Sequence, residues 1–140
     1  LDMKWTLQMD TATFVGYFCN KATTTFRGRK YSAWYTTEIP MPYGPYKFGG
    51  LPGVILFLNE EKGNFEFQCI SIETLKEKYM ISLEKKNYLK TDRKTHKNLV
   101  RYMIENPDAF AASQGISVET ISCEGCPPRI KPIFNPIELD

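Results

Sequence analysis

"KATTTFRGRKYSAWYTTEI" runs from Lys21 to Ile39, and its reading decides the fold. β-Branched threonines precede Gly28 and aromatics follow it, the composition of two strands around a tight turn. "RGRK", Arg27 to Lys30, is then an exposed hairpin tip. Strand alternation assigns the faces. Ala22, Thr24 and Phe26 share one side of the first strand. Tyr31, Ala33 and Tyr35 share one side of the second, and Trp34 points to the other.

Working upstream, Trp5, Leu7 and Met9 alternate with Thr6 and Gln8, which predicts a half-buried strand. Asp10 to Thr13 reads as a polar turn, and Phe14 to Lys21 as another extended piece. Downstream, Pro40, Pro42, Pro45 and Pro52 forbid regular structure between Ile39 and Gly53. "VILFL" at 54–58 is apolar on both faces, the mark of a strand covered on both sides. "NEEKGN" turns the chain, so Glu60 and Glu61 are turn residues and not a catalytic pair. "FEFQCISI" returns with Phe65, Phe67 and Cys69 on one face. "KYMISLEKKNYLK" holds one or two further short strands.

From Asp92 the period changes. His96, Leu99, Val100, Met103 and Ile104 recur at helical spacing, with Thr91 or Asp92 as the cap. A break at Pro107, a second short helix and a stop at Gly115 follow. "ISVETISC" reads as a late strand and the proline-rich stretch after it as extended. Many strands followed by helices imply an α+β, mainly β fold. We expect a twisted antiparallel sheet, an open half-barrel being one form of it, with two short C-terminal helices.

The chain has 140 residues, 42% of them apolar and 14% aromatic, which suits a single domain over 1–140 with a sizeable core. A formal net charge of +2 demands no nucleic-acid partner. No stretch approaches the ~18 apolar residues of a membrane span. Opening on Leu1 rather than Met predicts a processed or trimmed product, which leaves room for a targeting segment ahead of it.

"FCNKATTTFRGRKYSAWYTTEIPMPYGPYKFGGLPGVI" resembles the GLPGLI family of exported proteins from Gram-negative bacteria. The name-giving motif reads here as Gly50, Leu51, Pro52, Gly53, Val54 and Ile55, with Val54 in place of the usual leucine. "CNKA" at 19–22, "FRGR" at 26–29 and "NPIELD" at 135–140 add to the likeness. The resemblance implies a periplasmic, secreted or outer-envelope protein without established catalytic residues. It also implies that a signal peptide and N-terminal strands precede Leu1.

Four cysteines, Cys19, Cys69, Cys123 and Cys126, allow two disulfides in an exported protein. Cys19–Cys69 and Cys123–Cys126 are slightly favoured among the pairings. Cys123 and Cys126 in "CEGC" have redox spacing, but prolines rather than a helix follow them. A zinc site needs about four ligands; Asp, Glu or the other cysteines could complete one around Cys123 and Cys126, but no second close pair exists and His96 is the one histidine. His96 falls on an apolar helix stripe, where it should be packed. The glycine-rich loop enters a strand and lacks Gly-Lys-Ser/Thr, so it is no phosphate loop. We expect no metal and no cofactor.

Gly44 to Gly53 should be a structural corner, with Gly49, Gly50 and Gly53 in conformations closed to other residues and Leu51 turned inward. Trp34, Tyr35, Tyr43, Tyr46 and Phe48 are the candidate ligand-binding residues. Lys94, Lys97 and Arg101 share a helix face, read first as solvated and second as attracted to anionic lipid or glycan. The functional expectation is a non-catalytic binding module for an apolar ligand or protein partner, with a lipid or an envelope protein as the partner. The alternatives are a thiol-disulfide oxidoreductase using Cys123 and Cys126, and a structural subunit of an envelope assembly.

Overall fold

The structure is a computed structural model that describes residues 3–76, 80–82, 84, 86–117 and 132–139. The chain forms two compact units: residues 1–79 together with 136–140, and residues 80–135.

The first unit is an open, five-stranded antiparallel meander. Its strands are β1 (Thr6–Phe14), β2 (Tyr17–Phe26), β3 (Arg29–Thr36), β4 (Val54–Glu60) and β5 (Glu66–Gln68), in the order β1-β2-β3-β4-β5. The expected α+β, mainly β class is what the chain adopts. Arg27 (φ 48°) and Gly28 (φ 77°) form the two-residue turn between β2 and β3. Positive φ at both positions matches the twist of the flanking strands. The register pairs Ala22 with Ala33, Thr24 with Tyr31 and Phe26 with Arg29, as the alternation requires.

Asp10 to Thr13 corrects the sequence reading. These residues lie within β1, and the turn falls at Val15 and Gly16, with φ of 52° and 82°. Threonine-rich sequence suits an exposed edge strand as well as a turn. Between 71 and 90 no described residue is in a strand, so the extra strands expected in "KYMISLEKKNYLK" are not found among them. Ile116 and Ser117 carry no strand either, and the rest of "ISVETISC" lies outside the described residues.

One face of the sheet carries the core. Ala22, Phe26, Tyr31, Ala33, Tyr35, Ile55 and Leu58 are buried there, with Phe48 and Leu51 from the 37–53 loop laid over them. Phe48 is the hub, its ring 4.6 Å from that of Tyr31, 5.3 Å from Phe26 and 6.4 Å from Trp5. The loop is held by the Trp5 indole, which donates to Gly49 O at 2.8 Å, and by the Ile55 amide, which donates to Tyr43 O at 2.9 Å.

Leu51 does turn inward, with 2% of its surface exposed. Of Gly49, Gly50 and Gly53, however, only Gly50 has positive φ. Gly53 is required by close approach instead: a Cβ there would lie 1.9 Å from Thr36 O. β4 is buried on both sides where Ile55, Leu56 and Leu58 lie. Leu56 is the extra residue of a bulge, because Trp34 pairs with Phe57 while Tyr35 pairs with Ile55.

The second unit contains α1 (Arg93–Glu105) and α2 (Pro107–Ser113). Asp92 caps α1, its carboxylate accepting from the Thr95 amide at 2.9 Å and the Thr95 hydroxyl at 2.6 Å. The Thr95 hydroxyl and amide, in that order, hold the Asp92 carboxyl below its usual pKa. Pro107 opens α2, and Gly115 at φ 76° follows its end. His96 is exposed rather than packed, which corrects its placement on a buried stripe. Among the described residues no helix is long and apolar enough to cross a membrane.

Candidate functional site

The sheet face opposite the core holds a grid of side chains fixed by strand register. Lys21, Trp34 and Phe57 stand side by side across β2, β3 and β4. Thr23, Ser32 and Asn59 form the next row. Thr25 and Lys30 continue it, with Glu61 beside Lys30: the Glu61 amide donates to Lys30 O at 2.9 Å and their charges approach to 3.8 Å. Two residues of rise separate successive rows, about 6.8 Å.

The first row is aromatic and cationic. Phe14 of β1 stacks on Phe57 at 5.1 Å and 11°, and tilts against Trp34 at 5.7 Å. Lys21 Nζ sits 5.5 Å from the Trp34 ring centroid and 3.7 Å from the Asp10 carboxylate. The later rows are hydroxyl, amide and charge. They adjoin an open groove of about 630 Å³ whose lining includes Thr6, Thr23, Thr25, Lys30, Ser32 and Glu61 and also reaches Lys4, Thr24 and Tyr31. The face thus passes from an apolar platform to a polar, hydrogen-bonding strip within three rows.

The structure does not bring the five candidate ligand-binding residues together. Trp34 stands on the open face. Tyr35 and Phe48 are 5% and 2% exposed in the core on the other side. Tyr43 and Tyr46 are exposed in the loop. Sequence reasoning passed over Phe14, Lys21, Phe57 and the polar rows. Their signal lay in the alternation of β1, β2, β3 and β4 once register was known.

A second cluster lies at the hairpin turn. Arg29 is buried, not part of an exposed tip. Its guanidinium lies 3.7 Å from the buried Glu60 carboxylate and donates from Nε and Nη2 to Pro136 O at 3.1 and 3.0 Å. Glu60 also accepts from the Asn64 side chain at 2.8 Å and from the Lys62 and Asn64 amides. Burial alone would push the Glu60 carboxyl up. The Asn64 and Lys62 hydrogen bonds and the Arg29 charge outweigh it and hold the carboxyl below the usual range. The Tyr31 hydroxyl donates to Ile137 O at 3.0 Å, and Tyr46 and Lys47 donate to Glu138 at 2.9 and 2.6 Å.

Cys19 and Cys69 are free thiols, which corrects the Cys19–Cys69 pairing. Cys19 is on β2 and Cys69 follows β5, with β3 and β4 between them. Three strand spacings amount to about 14 Å, twice the ~7 Å a disulfide spans. Burial pushes the Cys19 thiol pKa up. Cys123 and Cys126 lie outside the described residues. Among the described residues no group of three or more His, Cys, Asp or Glu could hold a metal ion.

Residues 2–98 match the model of the family described as N-glycanase peptide, N-terminal domain. The chain belongs to that family. The match takes in all five strands of the sheet. It overturns the GLPGLI resemblance, which rested on short motifs, whereas this match runs over most of the chain. Neither the curated proteins nor the solved structures compared give a match.

Proposed function

We propose that the protein is a non-catalytic recognition module that binds carbohydrate on the open face of its sheet, as an accessory to N-glycanase activity. The observation that carries this reading is the row Lys21–Trp34–Phe57 running into the row Thr23–Ser32–Asn59. A sugar ring presents a C–H face that packs on an aromatic ring and a rim of hydroxyls that pair with Thr, Ser and Asn. Mixed apolar and hydrogen-bonding rows suit that chemistry better than a wholly apolar ligand. The family is named for N-glycanase, whose substrate class is the N-linked glycan. A module that holds the glycan raises its effective concentration at a linked active site, so modest affinity suffices.

The test is calorimetric titration with an N-glycosylated peptide and with the same peptide after deglycosylation. Binding of the first alone, lost in Trp34→Ala, is the expected result. Equal binding of both peptides, or undiminished binding by a folded Trp34→Ala chain, sinks the reading.

A further inference from the structure

We infer that the hairpin turn and the adjoining loop form a recognition site for an extended, acidic-apolar peptide, and that Pro136–Leu139 is its resident ligand. The contacts are those of main-chain recognition. Arg29 donates twice to Pro136 O, the Tyr31 hydroxyl donates to Ile137 O, and the Leu139 amide donates to Arg27 O at 2.9 Å. Two successive carbonyls and one amide are read, which demands an extended backbone but little sequence. Nothing is asked of the amide that Pro136 lacks.

Charge is read at one position. Glu138 is 9% exposed, and its carboxylate accepts from the Tyr46 hydroxyl and the Lys47 ammonium. The Glu138 hydrogen bond, followed by that with Tyr46, pushes the Lys47 pKa up. Apolar positions flank the glutamate. Ile137 packs on the core cluster, and the Leu139 side chain lies against Gly28, where a Cβ would meet Leu139 Cβ at 3.2 Å. The preferred ligand is therefore apolar-Glu-apolar, with proline accepted at the position before it.

The arginine of the receptor is also held by groups other than the ligand. Glu60 fixes the Arg29 guanidinium from one side, and the Phe65 ring lies 5.1 Å from it. Glu60 is itself fixed by Asn64 and Lys62. A donor set held by its own surroundings loses little freedom on binding. The ligand, by contrast, is a short segment; Ile133, shortly before it, is 87% exposed. Tethering keeps this segment in place at high effective concentration. A segment of the same chemistry from a partner protein can replace it once the tether's advantage is weakened.

The test uses the full chain as Glu138→Lys, as Lys47→Glu, and as both together. Hydrogen exchange of the Leu139 amide reports whether the segment is seated. Exchange should quicken in each single reversal and slow again in the double reversal. Two synthetic peptides, Asn-Pro-Ile-Glu-Leu-Asp and its Glu-to-Lys counterpart, are then titrated into the single variants. The Glu138→Lys chain should bind the glutamate peptide roughly tenfold tighter than the lysine peptide, the worth of one charged hydrogen bond. The Lys47→Glu chain should show the opposite preference. A folded Glu138→Lys chain with a fast-exchanging Leu139 amide that binds neither peptide, or both equally, overturns the inference. Unchanged Leu139 exchange in both single variants overturns it too. Where Glu138→Lys unfolds the sheet, Glu138→Gln takes its place in the same comparison.

Discussion

On the core face of the sheet, Ala22, Ala33 and Leu58 expose none of their surface, while their strand neighbours Lys21, Trp34 and Phe57 on the opposite face are only half-buried. The same three strands therefore present a closed surface and an open one. The closed side is completed by segments from outside the sheet: Phe48 and Leu51 from the loop, Met3 and Trp5 from the N-terminal side, Ile137 from far along the chain. On the open side, among the described residues, Phe14 of β1 packs on Trp34 and Phe57, and the buried Cys19 lies on the same face as Lys21. Side chains on the first face are chosen by volume, and those on the second by what they present to solvent.

The sharpest way to break this contrast is at Gly53. A methyl group there meets backbone atoms, with Thr36 O at 1.9 Å and Thr36 C at 2.6 Å, so no side-chain rotation relieves it. Gly53→Ala should cost about 3 kcal/mol or prevent folding, read from urea unfolding. A native midpoint would mean that the loop is not seated on the core face.

Next comes a matched pair. Leu51→Ala, on the closed side, should lose about 2–4 kcal/mol of stability. Trp34→Ala, on the open side, should lose about 1 kcal/mol, the scale of its aromatic pairing, while abolishing glycopeptide binding. If Leu51→Ala spared stability and removed binding, the assignment of the two faces would be reversed.

Acid provides a smaller effect. The Glu60 carboxyl is held below its ordinary value of 4.5 in the folded state. Its contribution is complete above that value and is lost as pH falls through the depressed one. Glu60→Gln should accordingly flatten the decline of unfolding midpoint below about pH 4.5, relative to the parent chain. An unchanged acid profile would show that Glu60 does not set it.

The smallest effect belongs to Ser32→Ala. Stability should stay within about 0.5 kcal/mol while glycopeptide affinity falls by about 1 kcal/mol, the worth of one hydrogen bond. Unchanged affinity would remove the middle row from the site.

The hairpin from Tyr17 to Thr36, the strand after the loop and the capped helix at Asp92 were legible because each is set by local chemistry: alternation, a turn glycine, a capping carboxylate. Arg29 and Glu60 were not. Read locally, one is a charge beside a turn glycine and the other a residue before a turn. Only the β3–β4 register brings them together and buries both. Trp34 and Tyr35 were grouped as ligand residues although neighbours on a strand face opposite ways. The Cys19–Cys69 pairing failed for a similar reason, since extended segments can be strand neighbours or three strands apart, and composition does not distinguish these. The binding face was least legible, because it is a product of register across three strands and no single stretch contains it.

The contact between Tyr31 and Ile137 joins positions 106 residues apart. A ribosome adding about 5–20 residues per second needs roughly 5–20 s to travel that distance. For that interval the hairpin has emerged but its buried arginine still awaits the carbonyl of Pro136, and the core cluster still lacks Ile137. The nascent sheet therefore passes through a stage with part of its apolar cluster in water, the kind of surface a holdase binds.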